Sequence, residues 1–230
     1  MSYAAASAFA LVFVAATTVA AVADDAAKSD QTAPPVSPAI QVSPGDSWTY
    51  DIRDDITGEV RGTVTFEVAK VTEAEIETRV AKKKQLLHTE TTSKEIFDSH
   101  WRMKDNGRVV FRPALETTGV PDDLAVGKSW SFKYQASPKG SAVTREFAGV
   151  GKVEAWEHVT LPNGSGYDAF KIDVTAAAAI GNRKQEQHSI MWFAPAVNRL
   201  VKRKDESRAN GILRDATEQT LREYKRAAKI

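Results

Sequence analysis

The 230-residue chain has no cysteine, which excludes disulfide staples, a thiol nucleophile, Cys-ligated zinc and an iron–sulfur cluster. It has no excess of one charge either: Lys+Arg 31 against Asp+Glu 30 leave a net +1. That balance supplies no long-range field toward polyanions, so nucleic acid is not an expected partner. Beyond residue 23 no apolar run reaches the length of a membrane span, so none is expected in the mature chain.

Catalytic and cofactor signatures are also missing. "VGKSWSFKY" (126–134) contains Gly127-Lys128-Ser129, the end of a phosphate loop, but Asp122 stands where that motif needs its first glycine. An alternating run follows Ser129, where a phosphate loop needs a helix N-terminus. "GVGK" (149–152) lacks the Ser or Thr, and its Gly149 and Gly151 are expected to allow a bulge or sharp bend. Asn163-Gly164-Ser165-Gly166 reads as a hairpin tip rather than a nucleophile elbow. Among His88, His100, His158 and His188, the spacings Asp98/His100 and Glu186/His188 put a carboxylate and an imidazole on one strand face, but neither recurs as a cluster. The expectation is no metal, no cofactor and no catalytic residue.

What is present begins with "MSYAAASAFALVFVAATTVAAVADD". An apolar run ends in Ala21-Val22-Ala23, the small-x-small pattern of a secretory cleavage site. Residues 1–23 are therefore expected to be a signal peptide and 24–40 a disordered Pro/Ala-rich leader, with a periplasmic or secreted bacterial destination. From 41 onward apolar and polar residues alternate: Trp48, Tyr50 and Ile52 against Thr49, Asp51 and Arg53, then Val64, Phe66 and Val68 against Thr63, Thr65 and Glu67. Period two marks antiparallel strands with one buried and one wet face. Thr57-Gly58, Asp105-Asn106-Gly107, Pro138-Lys139-Gly140 and Pro162-Asn163-Gly164 supply turn chemistry between them. Lys82-Lys83-Lys84 and "VKRKDESR" (201–208) read as solvated strand edges. The segment "GILRDATEQTLREYKR" fits both periods, with Leu213, Thr217, Leu221 and Tyr224 near helical spacing; a strand covering a sheet edge is the favoured reading.

Two stretches match. "PGDSWTYDI" (44–52) aligns with "VGKSWSFKY" (126–134), "TFEVAKVTE" (65–73) with "EFAGVGKVEAWE" (146–157), and "HWRMKDNGRVVF" (100–111) with "MWFAPAVNRLVK" (191–202). Their shared order predicts an internal duplication, about 41–112 and 123–204, each copy of roughly five strands. The predicted fold class is all-β: duplicated antiparallel strands in one domain, 41–226, forming one strongly curved sheet or barrel.

The motif W-[FY]-x-P-x-x-[GN]-R-[LV]-V at 192–201, together with the G-x-x-W stretches, resembles a broad group of uncharacterised bacterial secreted or periplasmic β-proteins. The resemblance implies a strongly curved sheet, similar in outline to lipoprotein-carrier half-barrels, with an apolar concave face able to hold a lipid or a partner segment. The paired Trp48, Trp101, Trp130 and Trp192 either fill a core or line such a face; they are the candidate ligand-binding residues. Three functions follow in order of preference. The first is a non-enzymatic exported binding protein for a lipid-like molecule or peptide segment. The second is an envelope adaptor working through sheet edges with an envelope-protein partner. The third is a hydrolase using His100, His188 and carboxylates.

Overall fold

The structure is a computed structural model that describes residues 40–180 and 183–228. The expected signal peptide and all of the expected leader except Ile40 lie outside the described residues; Ile40 itself packs against the core.

Twelve strands run through the described residues: β1 (Ser47–Asp54), β2 (Val60–Val71), β3 (Ile76–Lys84), β4 (Thr89–Phe97), β5 (Met103–Asp105), β6 (Val109–Leu115), β7 (Ser129–Pro138), β8 (Arg145–Thr160), β9 (Gly166–Ile180), β10 (Arg183–Ala194), β11 (Arg199–Ala209) and β12 (Ile212–Lys225). Each pairs antiparallel with its sequence neighbours, and β1 pairs with β12, closing a barrel. The fold is thus all-β, as the alternation and turn chemistry predict, and of the two expected forms, a strongly curved sheet or a barrel, it is the barrel. There are six strands on each side of the 116–128 connection where roughly five were expected. The three-residue β5 is too short to show a period.

The four turn signals fall between consecutive strands. Gly58, Gly107, Gly140 and Gly164 take φ of 74, 85, 76 and 84°, a region that costs glycine little. The two matched stretches form the same turn. Gly45 N donates to Val68 O at 2.8 Å and Gly127 N to Val153 O at 2.9 Å, while Val68 N and Val153 N return bonds to Asp46 O and Lys128 O at 2.8 Å each. Lys128 reaches Asp123 at 3.1 Å, and a strand follows Ser129, so no phosphate cradle forms.

The C-terminal segment is β12, and a bulge explains its mixed signal. Thr49 faces Glu223 and Tyr50 faces Leu221, so Arg222 is the extra residue. One inserted residue puts Leu221 and Tyr224, three apart, on the same inward face. Tyr224 stacks on Trp48 with ring centres 5.4 Å apart.

Gly149 and Gly151 sit in regular pairing opposite Phe132 and Trp130; the irregularity in β8 lies between Val153 and Ala155. A Cβ at Gly151 would enter the Trp130 ring, and one at Gly149 the Phe132 ring and the Thr175 carbonyl. These glycines make room for rings lying across them, in place of the bulge or bend expected there. The interior beside them is filled by Tyr134 stacked on Phe147 at 4.9 Å, a fit that needs the small inward Ala176 and Ala178 of β9.

Both charged runs depart from the expected solvated edges. Lys82–Lys84 is paired on both sides, to β2 and to β4, and β11 lies between β10 and β12. In a closed barrel every second residue faces inward, so Lys82, Lys84, Arg203 and Asp205 reach the interior. Alternate residues on the outer face form ion pairs, among them Lys94–Glu77 at 2.6 Å, Lys171–Glu154 at 2.9 Å and Lys202–Glu218 at 3.0 Å.

Candidate functional site

Between the walls formed by β1–β4, β11 and β12 the interior holds a cavity of about 850 Å³. That size falls in the range of about 300–1,000 Å³ in which small molecules are held. Its lining mixes two chemistries, with Lys82 paired directly opposite Val64. Ile52, Val64, Phe66, Phe97, Met103 and Val120 are its apolar members, and Lys82, Lys84, Glu95, Arg199, Arg203 and Asp205 charged ones.

Arg199 is the least ordinary residue of this lining. The chain reaches it through a short 3₁₀ turn, Pro195–Val197, whose proline presets the helical φ, followed by Asn198 at φ 53°. Asn tolerates this left-handed conformation, which explains Gly or Asn before the Arg of the 192–201 motif. Two indoles from the other half of the chain hold the turn. Trp48 Nε1 donates to Val197 O at 2.9 Å and Trp101 Nε1 to Asn198 O at 2.7 Å. The next side chain, Arg199, enters between Trp101 and Phe66. Its guanidinium carbon lies 4.0 Å from the ring centre of Trp101, 4.1 Å from Phe66, 5.3 Å from Phe97 and 5.5 Å from Trp48.

This cage holds the cation without neutralising it. Arg199 is 8% exposed, and its buried Nη1 has no hydrogen-bond partner among the described residues. Burial pushes the guanidinium below its ordinary pKa, opposed by the neighbouring Tyr50 hydroxyl and Glu95. It nevertheless keeps its proton, since arginine starts above about 12. Each ring contact contributes roughly 0.5–2 kcal/mol, against a desolvation penalty of several kcal/mol for an unpaired ion. Burial also pushes the Tyr50 phenol up to about 12, with Arg199 pulling the other way; the neutral hydroxyl donates to Leu200 O at 2.8 Å.

The two carboxylates of the cavity are already engaged. Glu95 accepts from Lys82 at 3.1 Å, and Asp205 accepts from Arg203 Nη2 at 2.7 Å and from the Ser189 hydroxyl at 2.6 Å.

The candidate tryptophans divide. Trp101 lines the cavity and Trp48 lies fully buried behind it, the two meeting edge to face. Trp130 lies over Gly151, away from them. Trp192 sits on the face of β10 opposite Met191, its Nε1 donating to Glu157 at 2.6 Å and the Lys202 ammonium 5.4 Å from its ring. Trp101 and Trp192, aligned in sequence, also occupy different elements: a left-handed turn at φ 62° and a strand. Sequence reasoning missed Lys82, Lys84, Arg199 and Arg203. The signal available was alternation continuing straight through both charged runs.

The histidines stay apart. His100 faces Asp122 at 3.5 Å in the β4–β5 turn, whereas His188 meets Asp173 at 3.0 Å beside a more open groove of about 690 Å³. Among the described residues no three His, Cys, Asp or Glu side chains gather in a metal-binding group.

No family model matches the chain, and no curated protein matches its sequence. Solved structures do share its fold. A presumed lipoprotein of Parabacteroides distasonis ATCC 8503 superposes with a TM-score of 0.56 at 15% identity, over 84% of this chain and all of that one. A presumed exported protein of Bacteroides fragilis NCTC 9343, described as having a YmcC-like fold, gives 0.55 at 13%, over 81% of this chain and 98% of that one. At these identities the likeness is one of architecture alone.

Proposed function

We propose that this chain is an exported, non-enzymatic binding protein of the bacterial envelope that holds a lipid-like small molecule inside its barrel. The observation that carries the reading is the interior cavity of about 850 Å³, lined by both apolar and charged side chains. Fixed polar groups in an otherwise apolar pocket are what orient a ligand. Closure of the barrel gives every described strand a neighbour on both sides, and leaves a strand-adding adaptor only residues 89–95 of β4 and 129–134 of β7, which pair on one side. The ion pairs of the outer face differ from the apolar belt of an outer-membrane barrel, in keeping with a mature chain that does not span the membrane. Export follows from the Ala21-Val22-Ala23 signal and accords with the P. distasonis and B. fragilis proteins, described respectively as a presumed lipoprotein and a presumed exported protein.

Native mass spectrometry of the full-length gene product, recovered from periplasm and medium, tests the reading. The expected result is a chain beginning at Asp24 with an added mass that organic solvent extracts. A chain retained in the cytoplasm with Met1 intact, and with no added mass, would overturn it.

A further inference from the structure

The charges of the cavity do not balance. Five cations line it, Lys82, Lys84, Arg108, Arg199 and Arg203, against two carboxylates, Glu95 and Asp205. Both carboxylates are spoken for by Lys82 and Arg203. Lys84, Arg108 and Arg199 therefore have no carboxylate partner among the described residues. Lys84 and Arg108 are long side chains able to reach water, so their lack of a partner is ordinary.

Arg199 differs. It is sealed among four rings, and its buried Nη1 donates to nothing. A buried donor without an acceptor is costly to keep, and the attraction of Glu95, itself paired with Lys82, only partly offsets burial of the charge. Methionine or leucine would fill the same space between Trp101 and Phe66 without that cost. The position holds a cation among aromatic rings at the cavity's lining. Guanidinium is suited to this task, because its planar fork of donors matches the two oxygens of a carboxylate or phosphate.

We propose that the cavity takes an amphiphile whose polar end is an oxyanion, a carboxylate or phosphate monoester, with Arg199 as its buried counter-charge. The apolar body then lies along Val64, Phe66 and Phe97, and the oxyanion pairs with the part of the Arg199 guanidinium that lines the cavity. Lys84 and Arg108 enlarge the positive field around the head group. This deepens the proposed binding function and rests on it.

Trp101 lies 4.0 Å from the Arg199 guanidinium and lines the cavity, so its fluorescence reports occupancy. The experiment titrates delipidated full-length protein with hexadecanoate, hexadecyl phosphate, hexadecanol and inorganic phosphate. The expected result is binding of both hexadecyl anions at least tenfold tighter than hexadecanol, with inorganic phosphate weaker still. In Arg199→Gln that preference falls below threefold. Equal binding of hexadecanoate and hexadecanol to the unmodified protein overturns the anion assignment and leaves the cavity reading standing. No binding of any hexadecyl probe overturns both. Inorganic phosphate binding as tightly as hexadecyl phosphate overturns the amphiphile in favour of a free anion. The probe comparison in the unmodified protein decides the matter even if Arg199→Gln fails to fold, and Arg199→Lys, which keeps the charge, is expected to retain part of the preference.

Discussion

Trp48 and Trp101 meet edge to face with ring centres 5.4 Å apart, and their indole N–H groups bond the consecutive carbonyls of Val197 and Asn198. Two residues from the first half of the chain thereby fix a turn in the second half and set where Arg199 emerges. Packing, hydrogen bonding and placement of the charged group rest on one contact. Trp48→Ala is expected to cost about 3–5 kcal/mol, the range for removing a fully buried large aromatic. Trp101→Phe keeps a ring but strands the Asn198 carbonyl, at a cost of about 1–3 kcal/mol. Urea denaturation followed by circular dichroism measures both, and a Trp48→Ala loss below about 1 kcal/mol would contradict this role.

Arg199→Met removes an unpaired buried charge and fills much of its volume. The ligand-free variant is expected to be more stable than the parent by about 1–3 kcal/mol, since an apolar residue of similar size commonly outperforms a buried ion. The urea midpoint reads this directly. A lower midpoint would show that the four ring contacts outweigh the desolvation of the guanidinium.

Gly151→Ala and Gly149→Ala force a methyl into space held by the Trp130 and Phe132 rings. Overpacking of this kind costs about 1–3 kcal/mol. Gly149→Ala is expected to be the worse of the two, because the Thr175 carbonyl on its other side is backbone and cannot turn away. Trp130→Ala combined with Gly151→Ala should be less destabilising than the sum of the two single changes. Strict additivity in that double-mutant cycle would argue that ring and glycine do not touch.

At alkaline pH the buried phenol of Tyr50 governs. Its pKa is raised to about 12 by burial, so the folded chain keeps a proton that the unfolded chain releases near 10. Stability is full below about pH 10 and falls as the pH rises through 12. Tyrosinate absorbance should show Tyr50 and Tyr134, whose phenol burial also raises, ionising well after an exposed phenol. In Tyr50→Phe the alkaline loss of stability should shrink.

At acid pH the first turn governs. Asp54 is held down at about 2, first by the Thr57 amide, then by Arg61 and the Ile56 amide. Stability from this depressed carboxylate is present above its ordinary value of 3.8 and lost as the pH falls through 2. Asp54→Asn should therefore be less stable than the parent at pH 7, with the gap closing between about pH 4 and pH 2. Thermal melts across that window check it; a gap that does not depend on pH would exclude Asp54 as the titrating group.

Strands, turns and the two matching Gly-turn-Trp starts were legible in residues 41–226 because they depend on local chemistry. Period-two alternation names two faces, and a glycine at positive φ names a turn. Neither says which face becomes the interior once the sheet closes. Closure depends on β12 meeting β1 across the whole chain, with a bulge at Arg222 that turns a helix-like spacing of Leu221 and Tyr224 into one inward face. It also turned Lys82, Lys84 and Arg203 inward, where the sequence taken locally read two solvated edges. The meeting of Trp48, Trp101 and Arg199 joins residues about a hundred positions apart, and no local pattern encodes it. By itself the sequence determined the all-β plan and the positions of its turns. Only the tertiary structure decided that the barrel closes, that its core holds a cavity, and that an unpaired arginine lines it. Side-chain alternation is a property of each strand alone, whereas interior, cavity and counter-charge belong to all twelve together.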